Sequence, residues 1–65
     1  MNVIVNGQNR DVPAGATVRQ LIHQHNLDPA KVAVELNCRL IRTEKYDTTL
    51  NPGDEIEIVT FVGGG

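Results

Sequence analysis

The stretch Thr17-Val18-Arg19-Gln20-Leu21-Ile22-His23-Gln24-His25-Asn26 decides how the 65-residue chain folds. Thr17 and Gln20 stand three apart, the spacing of a capping box in which each side chain satisfies a free backbone group of the other. Val18, Leu21, Ile22 and His25 recur at i, i+3, i+4 and i+7, so they line one helical face. Asn26 suits the left-handed position after a helix, and Asp28-Pro29 prevents continuation. No other segment of the sequence has this period. One helix therefore has to cover whatever sheet the rest provides, leaving the opposite sheet face partly open.

Upstream, Met1 to Asn6 alternates β-branched and polar residues and predicts a strand. Asn6-Gly7 is a strong hairpin signal, and the return strand runs from Gln8 to Val12 before Pro13-Ala14-Gly15 breaks it. Downstream, Val32-Ala33-Val34-Glu35-Leu36 is the next strand, and Asn37-Cys38 turns into a short one, Arg39-Leu40-Ile41. Thr43 to Leu50 has no clean period and predicts a turn or one helical turn around Tyr46. Asn51-Pro52-Gly53-Asp54 has the composition of a type I or II turn. The last strand is Glu55-Ile56-Glu57-Ile58-Val59-Thr60-Phe61. Hairpin, helix, hairpin fits an α+β fold of β-grasp type. Four or five strands form a mixed sheet, the helix packs across one face, and the first and last strands lie side by side in parallel. Residues 1–61 make the domain and residues 62–65 a flexible C-terminal glycine tail.

Alternation along the last strand sets Ile56, Ile58 and Thr60 on one face and Glu55, Glu57, Val59 and Phe61 on the other. The glutamates must face water, so Val59 and Phe61 sit on the open face too, with Val62 following. Clustered exposed apolar residues suggest a partner surface, against the alternative that Phe61 folds back on the domain's edge.

The remaining chemistry is sparse. Six Lys and Arg against eight Asp and Glu give a net charge of −2. The cations are scattered and aromatics nearly absent, which argues against nucleic acid. Cys38 is the one cysteine, so it has no intrachain disulfide partner, and in a turn beside Arg39 it reads as an inert thiol. His23 and His25 are two apart on a helix, point to different sides and do not make a zinc pair. Glu55 and Glu57 read as solubilising charges or ionic contacts for a basic partner. Neither a charged-then-apolar leader nor a long apolar run is present, so a soluble cytoplasmic protein without membrane contact, monomeric when free, is expected. A chain this short buries only about 60% of its unfolded surface, which favours a binding module or carrier over an enclosed active site.

The tail Val62-Gly63-Gly64-Gly65 reads either as a frayed end or as a site. The glycines precede no lysine and no helix, so they are no phosphate loop. What is left is the carboxylate of Gly65. Once converted by another enzyme to an acyl-adenylate, it can accept sulfide, persulfide or an amine. Glycine puts no Cβ beside the attacked carbonyl. Four residues beyond Phe61 reach roughly 13 Å when extended, enough to enter a partner's active site.

Asn6-Gly7, Val12-Pro13-Ala14-Gly15-Ala16-Thr17-Val18, Val32-Ala33-Val34-Glu35-Leu36-Asn37 and Gly53 through Gly65 together resemble the ThiS family of thiamine-biosynthesis sulfur carriers, over essentially the whole chain. The closing Gly-Asp-x-Ile-x-Ile-x-x-Phe-Val-Gly-Gly-Gly is the specific part. The resemblance implies a protein substrate rather than an enzyme, with no tightly bound cofactor. A ThiF-type adenylyltransferase would use ATP and magnesium to adenylate Gly65. Sulfur from a cysteine-derived persulfide would then give a 1-thioglycine thiocarboxylate, donated to a ThiG-type thiazole synthase. The family often has Pro-Arg after its fourth strand, where this chain has Arg42-Thr43. A molybdopterin-synthase small subunit of MoaD type and a ubiquitin-like modifier share the activated tail, but MoaD-type subunits are usually longer, with Pro before the glycines. A TGS-like regulatory module needs no free glycine end and is normally fused to an enzyme, so a chain running from Met1 to the glycines is not expected of it.

Overall fold

A computed structural model describes residues 1–61, so Val62, Gly63, Gly64 and Gly65 lie outside the described residues. The N-terminal hairpin joins β1 (Asn2–Val5) to β2 (Gln8–Asp11). Asn6 and Gly7 have φ of 50° and 81°, both in the left-handed region that a type I′ turn requires. Helix α1 (Val18–Gln24) begins at Thr17 with both halves of the capping box formed, Gln20 N–H to Thr17 Oγ1 at 3.2 Å and Thr17 N–H to Gln20 Oε1 at 3.0 Å. Such a cap contributes about 1 kcal/mol. The helix ends as Asn26 turns left-handed at φ 59°. Asn26 N–H then bonds the His23 carbonyl and Leu27 N–H the Ile22 carbonyl, a Schellman closure with Leu27 packed on the core.

Asp28 caps a 3₁₀ turn over Pro29–Lys31, an element the sequence predicts only as a stop. Then come β3 (Val32–Leu36), β4 (Arg39–Ile41), a 3₁₀ turn at Thr43–Lys45 and β5 (Glu55–Thr60). Strands β1 and β5 begin or end a residue inside the segments expected from sequence, as does β2. The Pro52-Gly53 turn is type II: Gly53 has φ 84°, and Asp54 N–H returns to the Asn51 carbonyl at 3.1 Å. Asn37, also left-handed at φ 51°, fastens the start of β5. Its N–H bonds the Glu55 carbonyl at 2.8 Å, and its Oδ1 accepts the Glu55 N–H at 2.9 Å.

The five strands order as β2-β1-β5-β3-β4, with β1 and β5 parallel and the other pairs antiparallel. This is the mixed α+β β-grasp sheet expected from the sequence, with β5 at its centre. The core lies between the sheet and α1. Val3, Val5, Val32, Val34, Ile56 and Ile58 supply the sheet side, and Val18, Leu21 and Ile22 the helix side. Tyr46 and Leu50, both 2% exposed, come from the irregular stretch between β4 and β5. That stretch is tied to the helix start by Val18 N–H to the Thr48 carbonyl, Arg19 N–H to the Tyr46 carbonyl and a Thr17–Thr49 bridge. Each fully buried Val, Leu or Ile side chain stabilises the fold by about 1.5–3 kcal/mol.

Candidate functional site

Strand β5 carries its parity as the two glutamates require. Ile56 and Ile58 are buried, Glu55 and Glu57 are exposed, and Val59 and Phe61 are 60% and 64% exposed. Thr60 alternates toward the core side but is exposed, since it lies past Ile58, the last core residue of the strand. The ladder to β3 continues through Phe61, whose N–H bonds the Lys31 carbonyl at 3.0 Å. Phe61 is therefore held in line with β5, with its ring in solvent and not folded onto the domain's edge. Of the expected docking residues, Val59 and Phe61 are brought to one face. Val62 and the glycines 63 to 65 lie outside the described residues.

The sheet register extends this face. Val59 is opposite Ala33; Glu57 is opposite Glu35, which is opposite Leu40; Ile4 is opposite Glu55. Residues opposite one another share a face. Leu40 is 71% exposed and joins Val59 and Phe61 as a large apolar residue on the open side. Sequence reasoning missed it, because a three-residue strand is too short for alternation to reveal which side is covered. Between the apolar positions runs an acidic row. Glu35 and Glu57 face each other across β3 and β5, a like-charge pairing that costs stability rather than adding it. A depression of about 150 Å³ beside them is lined by Ile4, Gly7, Glu35, Cys38, Glu55 and Glu57.

The other candidates from the sequence are dispersed. His23 is exposed, while His25 is half-buried, its Nδ1 2.9 Å from the Leu21 carbonyl, where it donates within its own helix. Cys38 is exposed in its turn with φ 69°. Arg42 precedes the second 3₁₀ turn and makes no side-chain cap. Among the described residues no three His, Cys, Asp or Glu side chains cluster to hold a metal ion, and no charged side chain is buried. No helix among them is long and apolar enough to cross a membrane. The described part of the molecule thus offers an exposed apolar and acidic platform, and β5 leads from it to the tail.

Comparison with known proteins agrees over the whole length. Residues 3–65 match the model of the ThiS family. The thiazole synthases of Paramagnetospirillum magneticum and Magnetococcus marinus are 39% and 36% identical over 66 residues, which cover all of this chain and 20% of each of those proteins. The chain therefore spans about a fifth of the length of these curated relatives. The crystal structure of the thiamine biosynthesis protein (ThiS) from Geobacter metallireducens superposes with a TM-score of 0.81 at 33% identity, covering all of both chains. With a family match that runs from the first strand through the last glycine, the chain belongs to the ThiS family.

Proposed function

We propose that the chain is a sulfur carrier of thiamine biosynthesis, acting as a protein substrate of partner enzymes. The observation that carries this reading is the family match extending through Gly65, the residue whose carboxylate has to react. A ThiF-type enzyme joins the Gly65 carboxylate to AMP, releasing pyrophosphate from ATP. The terminal sulfur of a cysteine persulfide attacks the acyl carbon and AMP leaves. A thiol then cleaves the resulting acyl disulfide, leaving the thiocarboxylate on Gly65. Thiazole synthase receives that sulfur. Relatives named thiazole synthase, in which the matching segment occupies a fifth of the protein, favour this acceptor over molybdopterin synthesis. They also support a working pair of carrier and synthase.

Val59 and Phe61 dock the carrier, with Leu40 extending the contact, while the tail enters the partner's active site. Buried aromatic anchors dominate interface energies. Phe61→Asp is therefore expected to weaken binding to the activating enzyme by about ten- to a hundredfold. Its melting temperature should stay near that of the parent, since the ring is already exposed. Calorimetry and thermal unfolding check both halves, and unchanged affinity would remove Phe61 from the interface. The function itself is tested by incubating the chain with its host's activating enzyme, ATP, magnesium and a persulfide donor, then weighing the intact protein. A gain of one sulfur for one oxygen is expected. An unmodified mass, with the enzyme shown to be active, refutes the carrier reading.

A further inference from the structure

The strand that leads to the tail outruns its neighbour. Strand β1 pairs with β5 only at Ile4–Glu55 and Val5–Ile56, then turns away at Asn6-Gly7. On that edge the backbone groups of Ile58 have no strand beside them. The Asn6 side chain takes the place of the missing strand. Its Oδ1 accepts the Ile58 N–H at 2.8 Å, and its Nδ2 donates to the Ile58 carbonyl at 3.3 Å, while Asn6 N–H bonds the Ile56 carbonyl at 2.8 Å. A carboxamide presents one acceptor and donors in the geometry of a peptide, so it pairs with both groups of one residue.

The turn restricts which residue can do this. Position 6 has φ 50°, in the left-handed region where glycine and asparagine are tolerated best. Glycine fits the turn but has no carboxamide, whereas glutamine has the carboxamide but strains the backbone. Asparagine satisfies both demands. Beyond Ile58, among the described residues, β5 is held only from the β3 side, through Ala33–Val59, Val32–Thr60 and the Phe61 N–H to the Lys31 carbonyl. Among the described residues, Asn6 is thus the last fixture of β5 on the β1 edge.

We infer that Asn6 is a positioning residue for the tail, its carboxamide completing the sheet beside Ile58 and so setting the direction in which the chain reaches a partner's active site. This inference rests on the reading of the chain as a carrier. Displacement of a reacting group by about 1 Å can cost up to about a hundredfold in rate. Loss of the Asn6 contact should therefore lower turnover at saturating carrier, while docking through Val59 and Phe61 persists.

The test uses the full-length chain with Asn6→Gly, which keeps the backbone conformation. Hydrogen exchange at the Ile58 amide is expected to quicken by about tenfold or more as its partner is lost. The kcat for adenylation should fall about tenfold, with KM within about twofold of the parent. Asn37→Gly removes the same kind of contact at the opposite end of β5 and should leave kcat unchanged. If Asn6→Gly does not fold, Asn6→Asp serves instead. It keeps the acceptor for the Ile58 N–H and loses the donor to the Ile58 carbonyl, so kcat should fall by a smaller factor while Ile58 exchange stays near that of the parent. Unaltered Ile58 exchange in Asn6→Gly, an unaltered kcat in the variant used, or an equal fall in kcat with Asn37→Gly each overturns the inference. A parent chain that is never adenylated overturns the carrier reading and this role together. An active parent beside an unimpaired variant overturns this role alone.

Discussion

Removal of Gly65 is expected to yield a folded chain that gains no sulfur. The core ends at Ile58, seven positions before the deletion, and the last backbone contact described is Phe61 N–H to Lys31. Stability should therefore be unchanged by thermal unfolding. On the proposed mechanism chemistry should not survive, because the truncated chain would end one residue short of the centre at which the activating enzyme transfers AMP. One residue is about 3.3–3.6 Å of extended chain, which is beyond the few tenths of an ångström a reacting carboxylate tolerates. Intact mass after incubation with ATP and the persulfide donor should show the parent fully shifted and the truncated chain unshifted. A truncated chain that takes up sulfur as fast as the parent would move the site away from Gly65.

Tyr46→Ala should remove a large share of the fold's stability and lower its urea midpoint markedly. A 65-residue domain has about 3–10 kcal/mol of stability to lose. Truncating a buried aromatic costs about 3–5 kcal/mol once the cavity is included. Tyr46 is 2% exposed and sits where the β4–β5 connection crosses the helix start, so neighbouring segments cannot readily collapse into the gap. Its Oη lies 3.5 Å from the Val32 carbonyl, a long contact, so Tyr46→Phe should cost less than about 1 kcal/mol. The Arg19–Asp47 ion pair beside it is largely exposed and contributes little. Urea titration followed by circular dichroism separates the two variants. Equal midpoints for parent and Tyr46→Ala would contradict this account of the core.

Much of the fold was legible because its boundaries are written in local chemistry. Asn6-Gly7, Thr17 with Gln20, Asn26, Asn37-Cys38 and Pro52-Gly53 each impose a backbone geometry on their own neighbours, and all adopt it. The parity of β5 was legible because two glutamates cannot face a core. Tyr46, Leu50, Val12 and Ala16 were not legible as core, since they lie in segments without a period and are buried by what packs over them. The Asn6 contact with Ile58 spans 52 positions in sequence, and no local rule connects them. Leu40 needed the register of three strands before its face was known. The exposed face at Val59 and Phe61 is thus described directly, whereas the proposed reacting residue, Gly65, is read from the sequence of the tail and the family match.

The central claim is that sulfur passes through Gly65 to a thiazole. The most direct measurement loads the chain with isotopically labelled sulfur, adds thiazole synthase and its other substrates, and follows the label. The account predicts that the label appears in the thiazole as the chain returns to its unmodified mass. A labelled chain that keeps its sulfur in the presence of active synthase, or a thiazole formed at full rate without label, would contradict it.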